Sequence, residues 1–232
     1  MLEVRDLTKR FANAVALDAV GFRVGQGEIV GLVGPNGAGK TTLLETLCGL
    51  QDADRGSVLW HHASLAPDRR KEAMFYIPDG IAPYGAHSVG AVLAFFQQVY
   101  GRPDGAVETA VESLALGSVI GKTIGTLSKG YRRRLLVALG LMTPHPVLLM
   151  DEPFDGFDLR QTRDIMQLMR RVSAGGRSLL LSIHQLIDAE RLCDRFVLLS
   201  AGRVCGEGSL AELQSKAGLE GGGLEEAFLA LA

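Results

Sequence analysis

Short apolar runs alternate with amphipathic segments along most of this chain. The runs "EIVGLVG", "GSVLW", "MFYIP", "VLLMD", "SLLLSI" and "FVLLS" predict buried strands, and "KTTLLETLCGL", "LRQTRDIMQLMRRVS" and "LIDAERLC" have helical spacing. Near the start, "LEVRDLT" and "VGFRV" predict an antiparallel β element. Strands that alternate with helices indicate an α/β fold whose core sheet is mostly parallel and covered on both faces.

The middle of the chain has a different pattern of apolar and polar residues. Three helical segments, "VGAVLAFFQQVYG", "DGAVETAVESLAL" and "KGYRRRLLVALGLM", follow one another with no convincing strand between them. We therefore predict one domain, 1–232, with a core lobe at about 1–82 and 143–210 and an inserted α-helical subdomain at about 83–142. A tail at about 211–232, with a Gly-rich link and a short amphipathic helix, completes it.

Charge and cysteine content narrow the classes of function. The net charge of −2 and the pI near 6.2 argue against a generic polyanion binder, so we expect no nucleic-acid partner. Cys48, Cys193 and Cys205 are odd in number and widely spaced, which indicates reduced thiols. The sequence has no apolar signal core and no apolar run near the about 18 residues of a membrane span. We expect any membrane role to come through a partner.

A phosphate-binding loop is predicted between the third strand and the helix after it. The stretch "GPNGAGKTT" fits G-x-x-x-x-G-K-T, and a glycine-rich turn before an ordinary helix is the alternative. Glycines let the backbone wrap around a phosphate, and the helix N-terminus points amide donors at it. Lys40 is expected to reach the β- and γ-phosphates, and the Thr41 hydroxyl to bind Mg²⁺. The residues predicted to bind the nucleotide here are Gly34, Pro35, Asn36, Gly37, Ala38, Gly39, Lys40, Thr41 and Thr42.

Two adjacent carboxylates end the buried strand "VLLMDEP". Asp151 is placed to hold Mg²⁺, directly or through water, as in phosphate-loop enzymes. Glu152 is placed to act as the general base that polarises the attacking water. In isolation, a solvent-facing pair would be the better interpretation, but a phosphate loop upstream favours the catalytic one.

The stretch "LSKGYRRRL" holds four cations in nine residues. Ser128 is a good helix N-cap, and Gly130 permits a close backbone approach. The three consecutive arginines spread over more than half of the helix circumference, because each residue turns by about 100°. They cannot form one stripe along a nucleic acid, and a solvated or salt-bridged face is expected for at least two of them.

Five motifs in this order resemble the motifs of ABC-type ATPases over nearly the whole chain. "GPNGAGKTT", "LSKGYRRRL", "LLMDEP", "FDGFD" and "SIHQ" are similar to the Walker A, signature, Walker B, D-loop and switch-histidine motifs. The signature is the specific one, although "LSKGY" departs from the commoner L-S-G-G-Q. The resemblance implies a P-loop NTPase fold and ATP and Mg²⁺ as cofactors.

The same resemblance implies roles for further residues. Ser128, Lys129 and Gly130 would face the γ-phosphate held by a second subunit, and Asp158 would communicate across that dimer. Phe11 would stack on the adenine ring, or else belong to the core at the edge of the first hairpin. His184 would contact the γ-phosphate and orient the attacking water.

Asp79, in "FYIPDG", stands where the family usually has a glutamine that touches Mg²⁺. An aspartate still accepts from a Mg²⁺-bound water, but it is shorter and adds negative charge beside Asp151, Glu152 and the triphosphate. We therefore predict Asp79 as a metal-site residue with altered Mg²⁺ dependence or coupling.

By resemblance, the chain is the ATP-hydrolysing subunit of an ABC transporter, peripheral to the cytoplasmic face of the cell membrane. Its expected partners are a second copy, head to tail around two ATP molecules, and a polytopic membrane permease contacting the groove near 79–100. The variant "LSKG" and the ending "LEEAFLALA" favour an exporter. The alternatives are a soluble ABC ATPase that acts on nucleic acid or ribosomes, and a nucleotide-gated regulator with little turnover.

Overall fold

The computed structural model describes residues 1–12 and 14–232. Its strands are β1 (Leu2–Phe11), β2 (Ala14–Val24), β3 (Ile29–Val33), β4 (Arg55–Trp60), β5 (Ala63–Ser64), β6 (Met74–Ile77), β7 (Val147–Asp151), β8 (Ser178–Ser182), β9 (Arg195–Ser200) and β10 (Arg203–Gly208). Its α-helices are α1 (Lys40–Leu47), α2 (Val89–Val99), α3 (Ala106–Ser113), α4 (Lys129–Met142), α5 (Leu159–Ala174), α6 (Leu186–Leu192), α7 (Leu210–Lys216) and α8 (Leu224–Leu231). Short 3₁₀ helices cover Pro67–Glu72, Gly117–Val119 and Ile124–Thr126.

The strands form two sheets. The first is antiparallel, in the order β2-β1-β4-β5. The second has the order β10-β9-β3-β8-β7-β6, and all of its neighbours are parallel except β9 and β10. The predicted mixed α/β fold, with an antiparallel element and a mostly parallel core sheet, is confirmed.

The core sheet separates two apolar layers, because successive strand residues face opposite sides. Leu149 of β7 packs in the layer that contains α1 and the antiparallel sheet. Its neighbours Leu148 and Met150 pack in the other layer, with α5 and with the helices between β6 and β7. A strand buried on both faces has no polar side, which is why "VLLMD" reads as a continuous apolar run.

The helices α2, α3 and α4 lie between β6 and β7 in the chain. Val89 and Leu93 of α2 and Leu135 and Leu139 of α4 are buried in one cluster, which joins these helices to the core sheet. No strand of the structure lies between them, in agreement with the predicted run of helices. The boundaries of the two lobes stay a prediction.

Three elements differ from the sequence-based expectation, and the smallest is the two-residue strand β5, which pairs with β4. Strand β10 was not predicted, because "RVCGEG" has little apolar character and pairs only with β9 at the sheet edge. The tail contains two helices where one was expected. The additional helix α7 begins at a capping box in which Ser209 and Glu212 bond each other's backbone N–H. Within residues 1–12 and 14–232, no helix combines the length and the apolar character needed to span a membrane.

Candidate functional site

The predicted site residues gather at the carboxyl edge of the core sheet. Strand β8 lies between β3 and β7, and the three run parallel. The glycine-rich loop of residues 34–39 follows β3, Asp151 ends β7, and His184 comes two residues after β8. Asp79 follows β6, the parallel neighbour of β7 on its other side. Ligands of open α/β sheets bind outside this edge, because the loops after the strands meet there.

The loop after β3 depends on glycine at two positions. Gly39 has a φ of 103°, and a Cβ there would lie 2.6 Å from the carbonyl oxygen of Ala16. A Cβ on Gly34 would lie 2.2 Å from the carbonyl oxygen of Leu199. Helix α1 then begins at Lys40 and, among the described residues, no side chain caps its N-terminus. Its first amides are therefore available to an anion, as a phosphate-binding loop requires.

Lys40 and Thr41 are both engaged within the chain. The Lys40 ammonium is mostly buried and donates to the carbonyl oxygens of Gly34 at 2.7 Å and of Pro35 at 3.2 Å. The Thr41 hydroxyl donates to Oδ2 of Asp151 at 2.7 Å, which joins α1 to the end of β7. A hydroxyl and a carboxylate oxygen that converge in this way fit Mg²⁺, a hard cation that takes few protein oxygens and keeps water and phosphate ligands.

A cleft of about 330 Å³ is lined by six of the nine predicted phosphate-loop residues. It is lined by Ala16, Asn36, Gly37, Gly39, Lys40, Thr41, Thr42, Asp79, Asp151 and Glu152. The lining combines a cation and helix amides with carboxylates. This combination suits a triphosphate that is bound through its oxygens and attacked by an activated water.

Glu152 sits in an unusual backbone conformation beside this cleft. Its φ of 48° is left-handed, a strained region for a residue with a side chain. Its N–H donates to the carbonyl oxygen of Ser182 at 3.0 Å, and its Oε2 accepts from the N–H of His184 at 3.1 Å. Burial, and to a lesser degree the neighbouring Asp151 charge, raise the pKa of the Glu152 carboxyl. A carboxylate with a raised pKa is a better proton acceptor in its ionised form.

A second, larger cleft of about 850 Å³ adjoins the first and shares Asn36, Asp79 and Glu152 with it. His184, which is exposed, and Asp158 line this cleft. Asp158 also caps α5, because its carboxylate accepts from the N–H of Gln161 at 2.8 Å. The predicted base, switch histidine and D-loop aspartate therefore border one space.

The signature residues lie elsewhere. Ser128 caps α4 by accepting from the N–H of Tyr131 at 3.4 Å, and Lys129 forms an ion pair with Asp155. A Cβ on Gly130 would lie 3.0 Å from the carbonyl oxygen of Gly156, which is a tight contact. These residues line a third cleft of about 280 Å³, with Tyr131, Arg134, Gly156 and Gln161. Its described lining includes none of the phosphate-loop residues 34–42.

Phe11 lies at the end of β1, and 44% of its surface is exposed. The Lys9 ammonium lies 5.1 Å from the centre of its ring. Phe11 is not among the residues that line the cleft at the phosphate loop, and the neighbouring Asn13 is outside the described residues. An exposed ring does not belong to the core, so the alternative of a core Phe is not supported. Its stacking role stays a prediction.

Asp79 and Arg133 form an ion pair that the sequence analysis missed. A guanidinium nitrogen of Arg133 donates to the Asp79 carboxylate, and the other donates to the carbonyl oxygen of Asp151 at 3.3 Å. Arg133 is buried, whereas Arg132 is exposed and bonds the carbonyl oxygen of Leu127. One signal was available: Arg133 shares its helix phase with the apolar Leu136 and Val137, three and four residues on.

Comparisons with known proteins point in one direction. The family described as ABC transporter matches residues 17–155. The ABC-type transporter ATP-binding protein EcsA of Bacillus subtilis is 30% identical over 237 residues, which cover 100% of this chain and 96% of that protein. The Nod factor export ATP-binding protein I of Burkholderia lata is 32% identical over 217 residues, with 90% and 70% covered. A solved structure of the ATP-binding subunit of an ABC transporter aligns with a TM-score of 0.91 at 30% identity, covering 100% of this chain and 99% of that one.

Proposed function

Since the chain belongs to the ABC transporter family, among its ATP-binding proteins, we propose that it hydrolyses ATP to drive a separate membrane permease. The observation that carries the proposal is the cleft in which Lys40, Thr41, Asp151 and Glu152 meet. A cation, a magnesium-ligand pair and a carboxylate base in one cleft are the parts that phosphoryl transfer to water needs.

Binding is the task of the phosphate loop. The free amides at the start of α1 take the β-phosphate, and the Lys40 ammonium exchanges its bonds to Gly34 and Pro35 for bonds to phosphate oxygens. The Thr41 hydroxyl and the Asp151 carboxylate would hold Mg²⁺, which when bound neutralises charge on the phosphate oxygens. The remaining loop residues keep the backbone close to the phosphates.

Hydrolysis depends on Glu152 and His184. Glu152 accepts the proton of the attacking water, and the backbone N–H of His184 holds its carboxylate in place. The His184 side chain borders the same space and orients the γ-phosphate. The left-handed backbone at Glu152 is a strain of about 1–3 kcal/mol that the surrounding bonds maintain. We attribute it to the need to aim this carboxylate into the cleft.

We propose that two copies complete each site between them. Ser128, Lys129 and Gly130 line a cleft whose described lining includes no residue of the phosphate loop, so we expect them to meet a γ-phosphate that is bound by another chain. Asp158, beside the cleft with His184, lies where a facing copy would approach. ATP then joins the core lobe of one copy to the helical subdomain, residues 83–142, of the other, and hydrolysis releases them.

The membrane partner would dock in the groove beside the loop after β6. This groove of about 280 Å³ is lined by Gly80, Ile81 and Ala82 from the loop and by Leu136 from α4, and the other half of its lining is charged and includes Asp79 and Arg133. Ile81 is 51% exposed, and an exposed apolar side chain in a groove is typical of docking surfaces. We place the subunit at the cytoplasmic face of the cell membrane. Because a similar protein is named as an export ATP-binding protein, we propose that the transporter is an exporter.

Steady-state ATP turnover tests the enzymatic proposal. The Glu152→Gln variant should lose at least about 100-fold in kcat, because a general base contributes that much. It should still bind ATP, since Lys40 and the loop are intact. Glu220→Gln, a change of the same kind at an exposed tail residue, is the matched control and should keep wild-type turnover. Equal rates for wild type and Glu152→Gln would remove the catalytic assignment and favour a nucleotide-gated regulator.

Co-purification from detergent-solubilised membranes tests the partner. Tagged Glu152→Gln with ATP and Mg²⁺ should retain a polytopic membrane protein in stoichiometric amount. The added substitution Ile81→Asp should lower the yield of that protein several-fold, because it places a charge in the groove. Leu229→Asp, at a similarly exposed apolar residue of the tail, should not. Retention of only soluble proteins or nucleic acid would contradict the transporter proposal.

A further inference from the structure

A buried arginine lies behind the loop that follows β6. Only 5% of the Arg133 side chain is exposed, although it belongs to a run of three arginines. Its guanidinium bonds two groups on different elements: the carboxylate of Asp79, after β6, and the backbone carbonyl oxygen of Asp151, at the end of β7. The planar fork of an arginine suits such a double contact better than a lysine ammonium does.

Because Asp79 lies at the nucleotide cleft, its ion pair with Arg133 affects the charge of that cleft. Asp79 lines the cleft at the phosphate loop together with Asp151 and Glu152. Three carboxylates would then face a triphosphate that carries several negative charges, and only Lys40 among the lining residues of that cleft is a cation. A positive charge held against Asp79 compensates the negative charge that Asp79 adds to the cleft. Arg133 supplies it from behind the loop, outside the lining of the cleft.

Each member of the pair depends on the other. The Arg133 guanidinium is a buried cation, so its charge has to be compensated within the protein. Removal of Asp79 leaves the buried guanidinium without compensation, and removal of Arg133 leaves the Asp79 carboxylate, whose side chain is 47% exposed, without its counter-ion at the cleft. Replacing both partners together is far better tolerated. The chemistry therefore predicts a specific pattern: damage from one substitution and recovery from the second.

We infer that Arg133 is a positioning residue of the nucleotide site, which holds the Asp79 carboxylate as its counter-ion and cancels the charge that Asp79 would otherwise present to ATP. Asp79 then acts as a partner of Arg133 and not as a ligand of the metal. Through its bond to the Asp151 carbonyl, the same side chain ties helix α4 to the strand that carries the acidic pair. The inference rests on the proposed function, because it takes ATP as the ligand of this cleft.

The test is a double-mutant cycle read by equilibrium binding of a fluorescent ATP analogue with Mg²⁺. Arg133→Gln should weaken binding about tenfold, because it leaves the Asp79 charge facing the phosphates. The double variant Asp79→Asn/Arg133→Gln should return to within about threefold of wild type, because both charges are gone. Arg132→Gln, the same change at the exposed neighbour, is the matched control and should bind like wild type.

Two further readouts separate positioning from mere packing. Arg133→Lys keeps the charge and should retain most of the affinity. The melting temperature of Arg133→Gln shows whether that variant binds weakly only because it is unfolded. A Mg²⁺ titration of analogue binding should have the same midpoint, within about twofold, in Asp79→Asn and in wild type. A midpoint shifted about tenfold or more would assign Asp79 to the metal and overturn the inference.

The outcomes also separate this inference from the proposed function. If wild type binds and hydrolyses ATP while Arg133→Gln binds like Arg132→Gln, the inference fails and the proposed function stands. A double variant that binds no better than Arg133→Gln would overturn the inference in the same way. If wild type binds the analogue without turnover, the binding cycle still decides on Arg133, and only the hydrolysis proposal falls. If wild type does not bind the analogue at all, both fall.

Discussion

The phosphate loop of residues 34–42 and the signature of residues 127–130 both lead into a helix, yet the surroundings of the two helix starts differ. At α1 no described side chain caps the first turn, and the cleft also holds Lys40, Asp151 and Glu152. At α4 Ser128 caps the first turn, and the cleft is lined by the cations Lys129 and Arg134 and by none of the described carboxylates. We therefore propose that the first region binds a phosphate and catalyses the attack on it, and that the second only contacts a phosphate.

This difference explains why one chain does not complete the proposed site. The start of α4 is capped by Ser128, and the described lining of its cleft contains neither a carboxylate base nor metal ligands. We therefore expect it to act on a nucleotide that another chain already holds. The predictions that follow ask whether each region behaves according to its surroundings, and they begin with the change of largest expected effect.

Lys40→Ala should have the largest effect on ATP binding. The ammonium now bonds two loop carbonyls, and we expect it to transfer to the phosphates when ATP binds. Loss of a charge-assisted contact of about 2.4 kcal/mol should weaken ATP binding about 50-fold. Equilibrium binding measures this, with Lys71→Ala, an exposed lysine, as the control. Unchanged affinity in Lys40→Ala would show that the phosphates are held elsewhere.

Ser128→Ala should lower turnover about tenfold and leave the binding of ATP to a single chain unchanged. Ser88→Ala is the matched control, because Ser88 caps α2 just as Ser128 caps α4, by accepting from the N–H three residues on. Both variants should lose about 1 kcal/mol of stability with their caps. Only Ser128→Ala should lose activity, and a similar loss in both would reduce Ser128 to a helix cap.

The smallest expected effect is on stability. Besides its loss of turnover, Glu152→Gln should change the melting temperature in a pH-dependent way. The pKa of Glu152 is raised in the folded state by burial and by Asp151, so the folded protein binds a proton more readily than the unfolded chain. Ionisation of Glu152 therefore destabilises the fold as the pH rises from the unfolded pKa through the raised one. The variant should have a higher melting temperature than wild type at pH 7, and the gain should vanish below about pH 4, where both states are protonated. An equal gain at both values would contradict this account.

The nucleotide half of the site was predictable because each of its residues belongs to a short motif that is recognisable by itself in the sequence. One loop supplies the glycines, Lys40 and Thr41, and a short apolar run predicts the strand that ends at Asp151 and Glu152. Parallel strands then place their carboxyl ends at one edge, and the contact between Thr41 and Asp151 follows. The core strands were predictable for the same reason, since each is a local apolar run.

The features that were missed depend on contacts between distant segments. Asp79 and Arg133 are 54 positions apart, and no local pattern shows that one is the counter-ion of the other. Strand β10 gains its order from pairing with β9 and not from its own composition. The left-handed backbone at Glu152 is likewise maintained by its bonds to Ser182 and His184, which only the folded sheet brings near.

The oligomeric state of Glu152→Gln, measured by light scattering with and without ATP and Mg²⁺, tests most directly whether two copies complete the site. A chain of 24.8 kDa should scatter as a monomer without nucleotide and as a dimer of twice that mass with it. The added substitution Ser128→Ala should shift the mixture back toward monomer, whereas Ser88→Ala should not. A protein that binds ATP fully and remains a monomer at high concentration would contradict the account.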